Sequence, residues 1–417
     1  MKIAVVSYRL HSGGASVAAY RMVHALRRPE LELDAQVRFF LLSSKGGQEP
    51  DTVFFTRRGR WRALQEAFRG AVGWPYTARQ RQRDARRALQ NLRRRLQEFQ
   101  PDIINVRGLN QWCTPTIRWR EITELSTIAP VCWTLSDLWP LTNKADYPEP
   151  YRFPEYSPEA AFQEVFESGY CDEMERQRFI QTRPRCVFAG PSKWITDVAR
   201  SAFGDALPAR HIAHGVDPDE FKPVSRASAR SFWEIAEDQP VVAAVATFLH
   251  DDRKGMRFLY EALSRMDQPV TLLLIGHRAD GVQVPAHVRV VRPGHIQDNR
   301  LLRLAYSAAD VFVMPSMSEA FGLVMLEALS CGTPCVGFES GAVPEVIEPG
   351  LMGAWVPPGD VQALANAITD TIAMSRREGE TCRAACREAV LAQYDARDEA
   401  RRYMQLFSEM QTAGFWS

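Results

Sequence analysis

The sequence predicts an α/β protein made of two doubly wound, Rossmann-like domains in tandem, and three observations carry that prediction. Short Val/Ile/Leu-rich runs alternate with stretches of helical periodicity, the pattern of a parallel sheet covered on both faces by crossover helices. The scheme occurs twice, once in each half of the chain. At 417 residues the chain is long enough for each half to bury a core of its own.

In the first half, strands are expected at residues 3–7, 37–42, 103–106, 131–135 and 186–189, with a helix over 16–26. In the second half they are expected at 240–247, 270–275, 288–291, 311–314 and 334–337. Asp360, after Pro357-Pro358-Gly359, is placed to cap a helix over 361–373. Gly and Pro interrupt regular structure around His214-Gly215-Val216-Asp217-Pro218, so the chain divides into 1–214, 215–394 and a terminal helix, 395–417, expected to pack back on the first domain. The Pro- and aromatic-rich segment 143–184 has weak periodicity, and a loop of that length is functional or mobile.

Composition narrows the class. Lys plus Arg number 51 against 50 Asp plus Glu, so no global polyelectrolyte character points to nucleic acid. MKIAVVSYRL reads directly as a strand and lacks the parts of a signal peptide, and no apolar run reaches the ~18 to 20 residues needed to span a bilayer. The expected location is cytoplasmic, with contact to the inner face of the membrane an open possibility. The eight cysteines form no C-x-x-C and have no matching His cluster, so they read as reduced core thiols and no metal is expected.

The residues that carry chemistry are concentrated in the second half. Pro315-Ser-Met-Ser-Glu319-Ala-Phe321-Gly322-Leu323-Val-Met-Leu-Glu327 runs from a strand through a polar turn into a helix. Free N–H groups and the positive end of the dipole at that helix start form an anion site at the carboxyl edge of a sheet. Glu319 and Glu327 are spaced to address different parts of one elongated ligand, and a carboxylate accepts two strong hydrogen bonds from sugar or ribose hydroxyls. Taken singly, Glu319 is equally readable as a residue favouring the helix N-terminus and Glu327 as a solvated helical residue. Arg253-Lys254-Gly255 opens another helix, where two cations suit a diphosphate leaving group or are simply exposed loop charges. Gly13 and Gly14 follow the first strand and permit close backbone approach, though they lack G-x-G-x-x-G spacing. His295 and Ile296 precede a further helix. Asp217-Pro218-Asp219 is a D-x-D string that reads as turn capping.

The block from Glu319 to Glu327, continued through Gly341-Ala-Val-Pro344-Glu345, closely resembles the donor motif of family 4 retaining glycosyltransferases of the GT-B fold, whose two Rossmann-like domains face each other across a cleft. The resemblance implies that Glu319 contacts the transferred sugar and Glu327 the nucleotide ribose, with Phe321, Gly322 and Leu323 beside the diphosphate through backbone atoms. It places Arg253 and Lys254 at the leaving phosphate, Arg253 standing in for an arginine that relatives carry where this chain has Thr247-Phe248-Leu249. It sets Gly13 and Gly14 opposite that phosphate and gives His295 and Ile296 to the base. Pro191-Ser192-Lys193-Trp194 also fits the family pattern. The implied co-substrate is a nucleotide diphosphate sugar, used without a metal, and the implied acceptor is a glycan, lipid-linked or small molecule.

Two departures lie in the first domain. Where relatives carry His-Asp, the stretch WTLSDLWP has Ser136-Asp137, and Asn105-Val106-Arg107 stands where relatives show histidines. An active transferase with an altered sugar pocket and a catalytically silent nucleotide-sugar-binding subunit both remain open. A serine hydroxyl still offers one hydrogen bond to a sugar. Finally, residues 57–95 hold 13 Arg against Glu66 and Asp84, with apolar residues at helical spacing in two stretches. The second stretch reads as a helix with a solvated basic face. The first, with Trp61, Phe68 and Trp74, suits an anionic membrane surface.

Overall fold

The computed structural model describes residues 1–9, 13–42, 51–55, 78–110, 113, 115–147, 169, 171–277 and 283–416. His11, Ser12, the aromatic-basic stretch 57–77 and residues 148–168 of the long loop lie outside the described residues.

The first half runs β1 (Lys2–Ser7), α1 (Gly14–Leu26), β2 (Gln36–Leu41), β3 (Thr52–Phe54), α2 (Ala78–Phe99), β4 (Ile103–Arg107), α3 (Trp119–Ser126), β5 (Val131–Thr134), α4 (Trp139–Thr142), α5 (Glu173–Gln181), β6 (Cys186–Gly190), α6 (Lys193–Phe203) and β7 (Ala209–His211). Its strands pair in parallel in the order β3-β2-β1-β4-β5-β6-β7. The second half runs α7 (Arg226–Phe232), β8 (Val241–Phe248), α8 (Met256–Ser264), β9 (Val270–His277), β10 (Val288–Gly294), α9 (Asn299–Ala308), β11 (Val311–Met314), α10 (Leu323–Ser330), β12 (Cys335–Phe338), α11 (Val343–Val346), β13 (Gly353–Val356), α12 (Val361–Glu378), α13 (Glu380–Tyr394) and α14 (Ala396–Met410). Its sheet is also parallel, in the order β10-β9-β8-β11-β12-β13. Every strand read from the sequence forms within a residue or two at its start, and β9 and β10 run on to His277 and Gly294.

Alternate residues of each strand feed two cores, as a doubly covered sheet requires. On β1, Ile3 and Val5 pack with α1, while Ala4 and Val6 pack on the opposite face with Trp133 and Phe188. On β8, Ala243 and Val242 divide in the same way. The last helix, α14, places Ala400, Tyr403, Phe407 and Met410 in the core beneath α1, so the chain ends on the first sheet. All eight cysteines are buried and free of disulfides.

The strand orders locate the site. Each sheet reverses winding direction once, between β1 and β4 in the first and between β8 and β11 in the second. In open parallel sheets, ligands bind at the carboxyl ends of the strands that flank such a reversal. The loops there carry Gly13-Gly14 after β1, Arg253-Lys254 after β8 and Glu319 after β11. The sites of both sheets therefore lie in those loops.

Candidate active site

The loops of the two sheets meet around two adjoining cavities. One, of about 420 Å³, is lined by Ser136, Asp137, Arg253, Lys254, Glu319 and Phe321. The other, of about 870 Å³, is lined by Arg21, His295, Ile296 and Glu327. Gly13, Gly14 and Leu323 line both, and Gly322 lines the first, so the predicted residues are brought to one continuous cleft.

Two glycines make the Glu319 end of the cleft possible. Gly255 has φ 63°, and a Cβ there would lie 1.8 Å from the Pro315 carbonyl oxygen; Gly341 has φ 51°, and its Cβ would lie 1.6 Å from that of Glu319. Only a residue without a side chain lets these backbones close on the Glu319 loop. Lys254 Nζ then donates to Glu319 Oε2 at 2.5 Å. Arg253 Nη1 donates to the Ser318 carbonyl at 2.9 Å and lies 3.7 Å from Glu319 Oε2. The Arg253 guanidinium also stacks on Tyr147, 4.3 Å from the ring centre. Burial pushes the Glu319 carboxyl up, but the Lys254 and Arg253 charges outweigh it and hold it below its ordinary value. Burial draws Lys254 down despite Glu319, whereas Tyr147, Glu319 and Asp251 keep Arg253 above its ordinary value against burial. Beyond them Gly322, φ 88°, caps the start of α10; Met325 N donates back to the Gly322 carbonyl at 2.9 Å, while the N–H groups of Leu323 and Val324 have no intrahelical acceptor.

Across the cleft, Asp137 is buried after β5, accepting from Trp139 N at 3.0 Å and from Asn110 Nδ2 at 2.9 Å. Burial dominates and, helped by Asp146, pushes its carboxyl up to about 7. Ser136 beside it is half-buried and faces the same cavity. Phe321 turns its side chain into the core against His214, with ring centres 5.3 Å apart, so only its backbone serves the cleft. At the far end, His295 stacks on His277 at 4.2 Å, and His277 stacks on the exposed Phe248, a platform suited to a planar base. Burial and the neighbouring His277 hold the His295 imidazole below its ordinary range.

Glu327 differs from the plain expectation of a carboxylate open to ligand or solvent. It is buried, its Oε1 accepting from Arg21 Nη2 at 2.5 Å and its Oε2 from the Tyr306 hydroxyl at 2.6 Å. Arg21, Tyr306, Tyr147 and His214 were missed in the sequence. The available signal was Arg21 itself, a lone charge at an apolar position of α1 between Ala18 and Ala25. Asn105 and Arg107 line neither cavity; Arg107 Nε donates to Asn105 Oδ1 at 2.8 Å and its guanidinium covers the Tyr403 ring of α14. Asp217 accepts from Asp219 N at 2.9 Å in a turn, and Arg28 pairs with both carboxylates. Among the described residues no cluster of three His, Cys, Asp or Glu forms a ligand set.

Two short sequence motifs turn out to be partners. The Glu345 carboxylate of α11 accepts from the backbone N–H of Lys193 and Trp194, each at 2.8 Å, at the start of α6 in the other domain. A carboxylate at a helix N-terminus meets two backbone donors that lie outside the intrahelical ladder and the positive end of the dipole. Glu345→Ala is therefore expected to lower the melting temperature by several degrees, from a loss of about 1–3 kcal/mol, and to enlarge the particle in small-angle scattering. Unchanged values on both counts would remove the clamp.

A separate hollow of about 980 Å³ lies between α2, α3 and α5, with Arg86, Arg118 and Arg178 in its wall, and shares no lining residue with the cleft. The basic face of α2 is solvated there, and its exposed Arg86 borders this concavity. No helix among the described residues is long and apolar enough to cross a membrane.

Residues 239–374, which hold Arg253, Lys254, Glu319 and Glu327, match the family described as Glycosyl transferases group 1. Residues 239–374 form a group 1 glycosyltransferase domain, and the chain has the GT-B fold. The chain is 31% identical over 207 residues to the GDP-mannose-dependent alpha-(1-6)-phosphatidylinositol monomannoside mannosyltransferase of Mycolicibacterium smegmatis, covering 45% of this chain and 53% of that protein. It is 34% identical over 185 residues to the D-inositol 3-phosphate glycosyltransferase of the same organism, covering 40% and 41%. The chain thus spans about half the length of these relatives. Sucrose-phosphate synthase from Thermosynechococcus elongatus superposes over 98% of both chains with a TM-score of 0.71 at 21% identity. HepE of Anabaena, solved with UDP-glucose, superposes over 98% of this chain and 99% of its own with a TM-score of 0.64 at 17% identity. These likenesses extend the GT-B fold beyond the group 1 domain to the whole chain.

Proposed function

We propose that this chain is a retaining glycosyltransferase that moves a hexose-type sugar from a nucleotide diphosphate sugar to a glycan, lipid-linked or small-molecule acceptor. One observation carries the reading: Glu319, held by Lys254 and flanked by Arg253, faces the cleft beside a free helix N-terminus and opposite Gly13-Gly14. Residues 1–214 then present the acceptor, residues 215–394 hold the donor, and 395–417 close back on the first part. The nucleoside occupies the larger cavity, its base against His295 and Ile296 and its ribose on Glu327. The sugar occupies the smaller one, against Glu319, Ser136 and Asp137.

As the bond to the leaving diphosphate breaks, an oxocarbenium-like centre forms and negative charge grows on phosphate. Arg253, Lys254 and the N–H groups from Gly322 and Leu323 are already in place to meet that charge, and preorganised donors of this kind are the main source of rate in such steps. The acceptor attacks from the same face and the diphosphate takes its proton, so no histidine base is required at Ser136. Transfer by this route uses no metal ion. Contact of the basic stretch 57–95 with an anionic membrane surface at the cytoplasmic face belongs to the same proposal.

The test is a panel of nucleotide-sugars, GDP-mannose and UDP-glucose included, read by thermal shift and then by donor hydrolysis and transfer. Stabilisation and turnover by at least one donor are expected. No stabilisation by any donor sinks the assignment, and binding without hydrolysis or transfer identifies a silent binding subunit. Glu319→Ala is expected to weaken discrimination among sugars more than affinity for the free nucleotide diphosphate; equal loss of both contradicts its role.

A further inference from the structure

We infer that Arg21, on α1 of the first domain, completes the nucleotide site of the second: it holds the Glu327 carboxylate in position and donates to the ribose from its own unused N–H groups. The inference rests on the donor-site reading above, and the arrangement around Arg21 carries it further.

Arg21 reaches out of its own domain. Its Nη2 lies 2.5 Å from Glu327 Oε1, and its guanidinium lies 4.9 Å from the centre of the Phe221 ring. Both ends of the pair line the 870 Å³ cavity. Glu327 has two donors fixed on it, Arg21 on one oxygen and the Tyr306 hydroxyl on the other. A carboxylate has about four acceptor positions, so two remain for ligand hydroxyls, in a group that can no longer rotate.

The unused donors are the second observation. The Arg21 side chain is 4% exposed, yet its Nε and Nη1 have no hydrogen-bond partner. A buried N–H without a partner is costly, and such groups in natural proteins call for an explanation. In the wall of a polar cavity, that explanation is an oxygen-bearing ligand. A bridge serving only to join the domains has no need of unsatisfied donors, since an apolar pair of the same volume joins buried surfaces as well or better. Arg28 with Asp217 already supplies a rim contact of the merely adhesive kind.

Nucleotide binding and domain closure are then one event. Arg21 meets Glu327 only when the domains are together, so a nucleotide that uses both groups stabilises the closed form by its differential affinity for it. The first domain contributes to recognising the nucleotide as well as the acceptor.

The experiment is calorimetric titration of the full chain with UDP and GDP and with their 2′-deoxy and 3′-deoxy counterparts, on the parent, Arg21→Met, Arg21→Lys and Arg28→Met. The parent should prefer the ribose forms. Arg21→Met should bind the ribose diphosphates at least tenfold more weakly and bring the ribose preference below twofold. Arg21→Lys keeps the ion pair and the melting temperature but lacks the forked donors, and should lose most of the same preference. Arg28→Met should bind as the parent does. Either Arg21 variant keeping the full ribose preference overturns the inference, and if the methionine variant does not fold, the lysine variant decides. A parent that binds neither nucleotide overturns the donor-site reading and this inference with it.

Discussion

Arg253→Gln is expected to slow sugar transfer by roughly two to three orders of magnitude, the cost typical of removing one preorganised donor from a site of developing charge, while affinity for the free nucleotide diphosphate falls much less. The difference arises because charge on the leaving phosphate is greatest in the transition state, and only interactions that strengthen there raise the rate. Arg253 suits the task by its fixation: it is bonded to Ser318 O, stacked on Tyr147 and kept charged against burial by Glu319 and Asp251. Arg253→Lys keeps a charge but not the fork and should recover little. Lys254→Gln should show a loss of similar size with a second signature, since it leaves Glu319 without its 2.5 Å partner. The double variant should lose less than the product of the single losses, because both cations act on the same carboxylate. Steady-state kinetics on a donor found in the panel, with thermal melts as a folding control, decide the matter. Equal losses in transfer and in nucleotide affinity would assign Arg253 to ground-state binding.

Asp137→Asn is expected to stabilise the protein above neutral pH and to leave it unchanged only below about pH 4, where the unfolded carboxyl also holds its proton. The carboxyl is raised to about 7, chiefly by burial and further by Asp146, whereas in the unfolded chain it titrates near ~4. Between those values the folded state holds a proton that the unfolded chain has lost, so stability falls as pH rises through the window, by up to ~1.4 kcal/mol per unit. Above about 7 the penalty is complete, on the order of a few kcal/mol. Asparagine carries no such penalty; its carbonyl still accepts from Trp139 N, and the Asn110 amide can turn to accept the new N–H. Melting curves from about pH 3.5 to about 8.5 should converge at the acid end and separate by several degrees at the alkaline end. Parallel curves would show that Asp137 is already charged and solvated. The same variant should transfer sugar at least tenfold more slowly, because the buried carboxyl is placed to meet a sugar hydroxyl. Stability withheld at a position that faces the cleft is what a functional constraint looks like.

The strands and the Glu319–Glu327 helix start were legible because their signals are local. Val311–Met314 is four consecutive core residues, and Pro315 to Gly322 is a polar turn ending in a glycine at φ 88°. The edge strands β3 and β13 were not legible, being three and four residues long with half-buried side chains and no apolar run to mark them. Arg107 was read as a departure near the sugar, yet its side chain lies under α14, since strand parity sends residues 105 and 107 to the face away from Val106.

By itself, the sequence determined the two parallel sheets, their reversal-point loops and the chemistry those loops carry, because periodicity and turn residues act over a few positions. Only the tertiary structure decided which charges meet. Arg21 reaches Glu327 across 306 positions, Glu345 caps α6 from 151 and 152 positions away, and Asp137 is buried by its surroundings rather than by its neighbours in the chain. Those pairings follow from two separately built sheets being set edge to edge across a cleft, and a one-dimensional pattern holds no record of that distance.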